Sequence, residues 1–285
     1  MQGISIIICS KKGILEKNFR KNIEATVGSV HEIITIDNST NRYNIFEAYN
    51  LGIRKSKFSY LLFIHEDVLI HTPKFGEILL DYFKNNEEIG LIGLAGSRIK
   101  TKIPSSWWEH ERENQVMNII QHYPNGKKEK ILFGFTEKPL SEVVLIDGVF
   151  MAMRKTDISF DERLAGFHNY DQSISLRSRK AGYKNFVTNE ILLEHYSIGT
   201  KDQSWLKSNE QFSALYHDDL PQALNGRKIT KDERGYTYFR LYSNYRGFGD
   251  KKNAAKAFFK YLYFRNLSRK DLRIIKEFLN WGIRT

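Results

Sequence analysis

The sequence predicts an α/β protein: a mostly parallel central sheet flanked by helices, with a C-terminal helical appendage. Three observations carry that expectation. Short apolar runs alternate with helix-spaced segments over the first part of the chain, as parallel strands alternate with crossover helices. The strand-like runs are near-continuous in apolar residues, which marks strands covered on both faces. The charge is segregated: residues 225–285 hold 16 Lys+Arg against 5 Asp+Glu, the whole excess of +11, so residues 1–224 are neutral overall.

The elements follow in order. Ile4–Cys9 is the first strand, and Leu15–Val27 a helix with Phe19, Ile23 and Val27 on one face. His31–Asp37 is the second strand and Ile45–Arg54 the second helix. Tyr60–Ile64 is the third strand. Pro73–Asn85 begins with a proline suited to a helix start, and Ile89–Ala95 is the fourth strand. Residues 96–142 read as loops covering a site, with a turn at Pro124-Asn125-Gly126 and a hairpin near Lys128–Phe135. Val143–Arg154 is strand-like. Tyr170–Ala181 is a helix stopped by Gly182. Phe186–Val187 and Ile191–His195 are short strands, and Ser204–Leu224 is helical. Two further helices are expected in the tail: Asn253–Arg265, and one opened by Ser268-Arg269-Lys270-Asp271 as a capping box and running through Trp281.

Composition narrows the classes. The 285 residues suit one large domain or a domain of roughly 200 residues with an appendage. An apolar share of 41% argues against disorder. The single cysteine, Cys9, excludes an intramolecular disulfide framework and fits a reducing compartment. Met1–Cys9 lacks the features of a signal peptide, and no run reaches the roughly 20 apolar residues that span a bilayer. The expected location is cytoplasmic, with the basic tail either seeking a polyanion or the anionic inner face of the membrane, or packing on the catalytic domain as a helical appendage with its lysines solvated.

The candidate chemistry lies at strand ends, where open α/β sheets bind ligands. The third strand runs directly into His65-Glu66-Asp67. Asp67 suits a divalent cation shared with nucleotide phosphates, or a helix cap. The second strand ends in Asp37 and Asn38, suited to a base imide or ribose, or to a plain turn. The first ends in Ser10 and Lys11, where a lysine can meet phosphate.

The stretch Ile4–Ile70 resembles the nucleotide-binding half of GT-A glycosyltransferases, in particular the inverting family-2 group. The pieces are ISIIICS, EIITIDNST and AYNLGIRKSKFSYLLFIHEDV. The His-x-Asp-Val form resembles a subgroup similar to a protein of streptomycin biosynthesis. The resemblance covers roughly residues 4–200. It implies that Asp37 contacts the nucleotide, that Asn50 and Gly52 match an Asn/Gly pair, and that His65-Glu66-Asp67 matches the DXD-type motif. His65 replaces the first acid, so Asp67 is the metal carboxylate. Downstream, Asp147-Gly148 opens the strand before the acceptor region. Gly166-Phe167-His168-Asn169-Tyr170-Asp171 leads into a helix whose acidic residue, Asp171, would be the catalytic base. His195 would join the metal or diphosphate. Asp171 also suits a helix N-cap, and His195 a core histidine.

The resemblance therefore implies Asp171 as catalytic residue and Ser10, Lys11, Asp37, Asn38, Asn50, Glu66 and Asp67 as the nucleotide site. Asp67 and His195 would hold Mn2+ or Mg2+. His65, Arg98, Trp107, Trp108, Asp147, Gly148, His168 and Tyr170 are candidate sugar or acceptor contacts. Trp107 and Trp108 can stack on a pyranose face or fill a core, Arg98 can meet phosphate or solvent, and Asp161-Glu162 reads as structural. The expected organisation is a catalytic domain over 1–203, divided at 95/96 into nucleotide and acceptor halves, then a basic helical region over 204–285. The expected partners are a nucleotide-diphosphate sugar and a saccharide or lipid-linked acceptor, with no specific nucleic acid. Competing readings are a nucleic-acid binder, permitted by a pI near 9.4 and the aromatic–basic tail, a nucleotidyltransferase, for which Ser10-Lys11-Lys12-Gly13 is a poor phosphate loop, and a non-catalytic sugar-nucleotide binder.

Overall fold

The computed structural model describes residues 2–265 and 269–283. The chain opens β1 (Ile4–Ser10), α1 (Lys17–Thr26), β2 (His31–Asp37), α2 (Ile45–Lys55), β3 (Tyr60–Ile64), β4 (Val68–Ile70), α3 (Phe75–Asn85) and β5 (Ile89–Gly93). Every strand and helix expected over this stretch is present to within two residues at most boundaries. The α3 helix starts two residues after Pro73, from Lys74 in a left-handed conformation.

Beyond Gly93 the chain departs from the expectation. Residues 96–142 are no loop cover. They contribute β6 (Ala95–Ser97), β7 (Ile99–Lys100), β8 (Gln115–His122), β9 (Lys128–Phe133) and β10 (Leu140–Val143), followed by β11 (Leu145–Ile146) and β12 (Phe150–Arg154). The β8–β9 pair is the expected hairpin, with Gly126 at positive φ in its turn. Next come α4 (Tyr170–Lys180), β13 (Lys184–Thr188), β14 (Leu193–His195), α5 (Gln203–Leu215) and β15 (Gln222–Ala223). The helix expected to run to Leu224 thus stops at Leu215, and Gln222–Ala223 leaves it to pair with β7.

The main sheet has the order β10-β13-β5-β12-β3-β1-β2. Its β1–β2, β1–β3 and β5–β13 pairs are parallel. However, β12 inserts antiparallel between β3 and β5, and β10 is antiparallel to β13. The sheet is therefore mixed rather than mostly parallel. A second sheet, β11-β6-β8-β14-β4, packs beside it.

Strand alternation sorts the core. Ile7 and Phe63 join Phe46, Tyr49 and Ile174 on one face. Ile6, Ile8, Leu62 and Ile64 join Phe19, Ile23, Phe75 and Leu79 on the other. Gly52 lets α2 approach β1: a Cβ there would lie 2.3 Å from the Ile7 methyl. Beside it, the Asn50 amide donates to the Phe160 carbonyl and the Glu162 carboxylate and accepts from Phe160 N.

The tail holds α6 (Lys231–Gly247), α7 (Lys251–Phe264) and α8 (Arg269–Ile283). The first of these was not expected. Ser268, the proposed cap of α8, lies outside the described residues. The tail packs on the domain through a third apolar cluster, in which Ile103, Trp205 and Leu206 meet Leu241, Tyr242, Tyr245, Phe258 and Tyr261. Polar ties reinforce the contact: Asn114 donates to Glu233 and accepts from the Arg227 guanidinium at 2.9 Å.

Candidate functional site

The register of the three parallel strands brings their carboxyl ends to one rim. Ser10 pairs with Asp37, and β3 runs beside β1 into His65-Glu66-Asp67. Glu66 locks this rim: Ser10 Oγ donates to its carboxylate at 2.7 Å and Lys11 N at 3.0 Å. Asp37 accepts from Ser39 N and Oγ, which hold its carboxyl below its ordinary value. Gly13 at positive φ abuts Asp37; a Cβ there would lie 2.6 Å from its carboxylate oxygen. The Asn38 amide is taken up by the Tyr43 backbone at both ends.

β4 follows Asp67 directly, so Asp67 caps no helix. β14 lies antiparallel to β4, with His195 opposite Val68. This pairing brings Asp67 and His195, 128 positions apart, into one group. His195 Nε2 lies 3.7 Å from Asp67 Oδ1, and His65 Nδ1 lies 3.8 Å from the same oxygen. One ligand atom from each of the three residues falls within 4.8 Å of the others. Burial raises the Asp67 carboxyl, but a hydrogen bond from Ser197 and the two imidazoles outweigh it, and its pKa falls below the ordinary value. Desolvation and the neighbouring His195 push the His65 pKa down, so it favours a neutral ring with a free lone pair.

The far nitrogen of each imidazole is fixed. His195 Nδ1 meets Gln121 Oε1 at 3.2 Å, so Nδ1 donates there and Nε2 is turned toward Asp67. That Nε2 is buried and has no hydrogen-bond partner. His65 Nε2 meets the Tyr170 hydroxyl at 2.7 Å. Metal-binding histidines show this arrangement, with one nitrogen held by an outer partner and the other left for the ion. Two imidazoles and a carboxylate therefore fit a divalent cation, and the orphaned Nε2 is the observation that carries the fit.

Tyr170 connects this group to Asp147 and Asp171. Its ring is buried against Tyr49, and Gly148 makes room for it: a Cβ at Gly148 would sit 2.1 Å from its hydroxyl oxygen. Burial raises the phenol far above its ordinary pKa, and Asp171, Asp147 and Asp67 all act on it in the same direction. Asp147 accepts from Trp107 Nε1 at 2.6 Å and from Val149 N at 2.9 Å. Asp171 lies within the first turn of α4, after Asn169 at the N-cap position. Burial, and then the charge of Asp147, push its carboxyl up to about 7.

The remaining candidates have these surroundings. The Arg98 guanidinium, half-buried, straps the carbonyls of Glu113 and Gly134 and the Ser141 hydroxyl. Trp107 is buried, whereas Trp108 stacks on Trp205 at 6.4 Å and both lie under Lys201. His168 is partly exposed, its pKa lowered by burial with Asp202 opposing. Asp161 is held by Arg163 and Tyr216, as a structural residue should be. Gln121 and Ser197 escaped attention as site residues, because their value arises only when β8 is laid beside β14.

Fold and site together define a class: an α/β protein with a metal-competent His-Asp-His group at its strand ends, joined through Tyr170 to a buried aspartate of raised pKa. The chain belongs to the glycosyltransferase-like family, whose profile matches residues 5–222. No curated protein matches it. Among solved structures it is similar to A197 from STIV, with 13% identity and a TM-score of 0.38 over 70% of this chain and 87% of that one. Family membership indicates glycosyl transfer, with a nucleotide-sugar donor and an acceptor as partners.

Proposed function

We propose that the protein transfers a sugar from a nucleotide-diphosphate donor to a hydroxyl acceptor, inverting the anomeric centre, with Asp171 as base. The observation that supports this most is the carboxyl of Asp171, held at about 7 by burial and by Asp147, beside a Tyr170 ring that is hydrogen-bonded to the metal-competent group. A base with a pKa near the working pH removes a proton without being permanently protonated or too weak. Asp171 takes the acceptor proton as the acceptor oxygen attacks. The bond from the anomeric carbon to the diphosphate breaks, and its electron pair leaves on the phosphate oxygen. A single base on the face opposite the leaving group gives inversion. Asp37 and the Ser10–Lys12 turn hold the nucleotide, and Trp107 keeps the Asp147 carboxylate in place. Asn50, Asn38 and Arg98 act as scaffolding, since their polar groups are already engaged.

His65, Asp67 and His195 would hold the cation. A mixed imidazole–carboxylate set suits Mn2+ better than Mg2+, which prefers all-oxygen surroundings. When bound, such an ion compensates the charge gained by the leaving diphosphate.

The acceptor is proposed to be lipid-linked, and the tail to rest on an anionic membrane. No helix among the described residues is long and apolar enough to cross a membrane. Instead α7 exposes Lys252, Lys256, Phe259, Lys260 and Tyr263 along one face, and α8 exposes Leu272, Lys276 and Leu279. Cations interleaved with apolar side chains suit an interfacial helix. Salt-sensitive sedimentation with anionic vesicles, lost in Lys252→Glu/Lys256→Glu, checks this.

The test of the catalytic proposal is Asp171→Asn. Donor affinity by calorimetry should stay near wild type while turnover falls by roughly 100-fold or more. Wild-type turnover in the variant removes Asp171 from the mechanism.

A further inference from the structure

Away from the strand-end site, where the tail meets the domain, lies a cavity of about 600 Å3. Its size falls within the roughly 300–1,000 Å3 of small-molecule sites. Its floor is apolar: Ile103 and Pro221 from the domain, Ile229, Tyr238 and Phe264 from the tail. Tyr238 and Phe264 stack at 5.6 Å, nearly coplanar. Its rim is cationic: Lys102, Arg227, Lys228 and Arg234, with no carboxylate in the lining.

The four cations are not equivalent. Arg227 is already matched by Glu233. The Arg234 guanidinium lies 4.8 Å over the Phe264 ring. Lys102 and Lys228 are exposed, and neither forms an ion pair among the described residues. Three positive charges therefore surround an aromatic floor with no acidic side chain lining it. A neutral base or a bare sugar could stack on the floor but would leave the excess charge unmatched. The excess charge calls for an anion, and the floor calls for an apolar body attached to it.

We propose that this cavity binds an amphipathic anion: a phosphate-type headgroup held by Lys102, Lys228 and Arg234, with its apolar body on Tyr238, Phe264, Ile103 and Ile229. The site lies beside the end of the exposed aromatic and basic stripe on α7, since Tyr263 of that stripe adjoins Phe264 of the floor. The proposal concerns a second site. It stands or falls independently of the reaction at Asp171, because its test reads binding alone.

The test uses the full chain and dodecyl phosphate below its critical micelle concentration, titrated calorimetrically at low salt. Inorganic phosphate and dodecyl maltoside, also below its micelle concentration, run beside it as the head alone and the neutral body. Saturable binding of one dodecyl phosphate per chain is expected, with both controls at least about tenfold weaker. Lys102→Glu/Lys228→Glu should weaken dodecyl phosphate by about tenfold or more. It should leave binding to phosphatidylglycerol vesicles largely intact if the ligand is a monomer and the membrane is met by α7. Ile229→Trp, which fills the floor without changing charge, should also weaken dodecyl phosphate. An unchanged thermal transition in each variant certifies its fold. Equal binding of dodecyl maltoside, or unchanged dodecyl phosphate affinity in both folded variants, overturns the proposal. Loss of vesicle binding with dodecyl phosphate binding untouched overturns it too.

Discussion

Asp171 offers a prediction in which stability and chemistry pull in opposite directions. Its carboxyl is moved from an ordinary 3.8 to about 7 by burial and by Asp147. Between those values the folded protein holds a proton that the unfolded chain gives up. Stability must therefore fall as pH rises through that window, and flatten once both states are ionised. Three pKa units correspond to about 4 kcal/mol in all. About 2–3 kcal/mol of it falls between pH 5 and 8, because the unfolded carboxyl is already ionised at pH 5. Asp171→Asn removes the titration. It also carries a fixed cost, since an amide offers one acceptor where the carboxylate has two for the N–H groups of Gln172 and Gly148. The fixed cost does not vary with pH, so the difference between the two proteins isolates the carboxyl. Urea unfolding at several pH values between 5 and 8 measures it. The variant should gain about 2–3 kcal/mol on the wild type across that range. A difference that stays flat with pH refutes the account of a desolvated, high-pKa base.

Three further outcomes are expected. Turnover should rise with pH through a single limb near 7, as the Asp171 base is freed of its proton, whereas donor affinity should not follow that limb; a rate plateau reaching down to pH 5 contradicts it. Gln121→Leu frees the His195 ring to turn, because Nδ1 loses its acceptor, and Mn2+ affinity by calorimetry should drop about 10- to 100-fold. Gly148→Ala places a methyl 2.1 Å from the Tyr170 hydroxyl oxygen. It should drive that hydroxyl off His65 and reduce both Mn2+ affinity and turnover by about tenfold or more, read by calorimetry and a product assay.

The legible part of the chain is the part where local pattern and final environment agree. Tyr60–Ile64 is buried on both faces and reads as an unbroken apolar run, so β3 and the polar triplet after it stand out. The same logic misleads at Phe150–Arg154. An antiparallel strand buried on both faces is as continuously apolar as a parallel one, so nothing in FMAMR announces that β12 runs against its neighbours. The second sheet was missed because β4, β6, β11 and β14 are two or three residues long, and their pairing is long-range. The α6 helix was hidden by Gly235 and Gly247, which are poor helix residues, and by aromatic side chains around most of its surface. Its start was nonetheless readable: Thr230 and Glu233 form a reciprocal capping box. At the site, the residue types at strand ends were evident. That His195 would face Asp67, and that Gln121 would fix its tautomer, depends on β14 pairing with both β4 and β8, which no local spacing encodes. Asn50, Asn38 and Arg98 carry polar groups typical of binding residues, and each also bonds within the fold, which no local pattern shows.

The most direct measurement is a thermal-shift screen of UDP-, GDP- and dTDP-sugars, each with and without Mn2+, on the wild type, Asp67→Ala and His195→Ala. The account predicts that at least one nucleotide sugar raises the wild-type transition in a Mn2+-dependent manner and that both variants lose this response. Stabilisation that is identical without Mn2+ and in both variants, or none with any donor, contradicts the claim that this strand-end group is the metal and donor site.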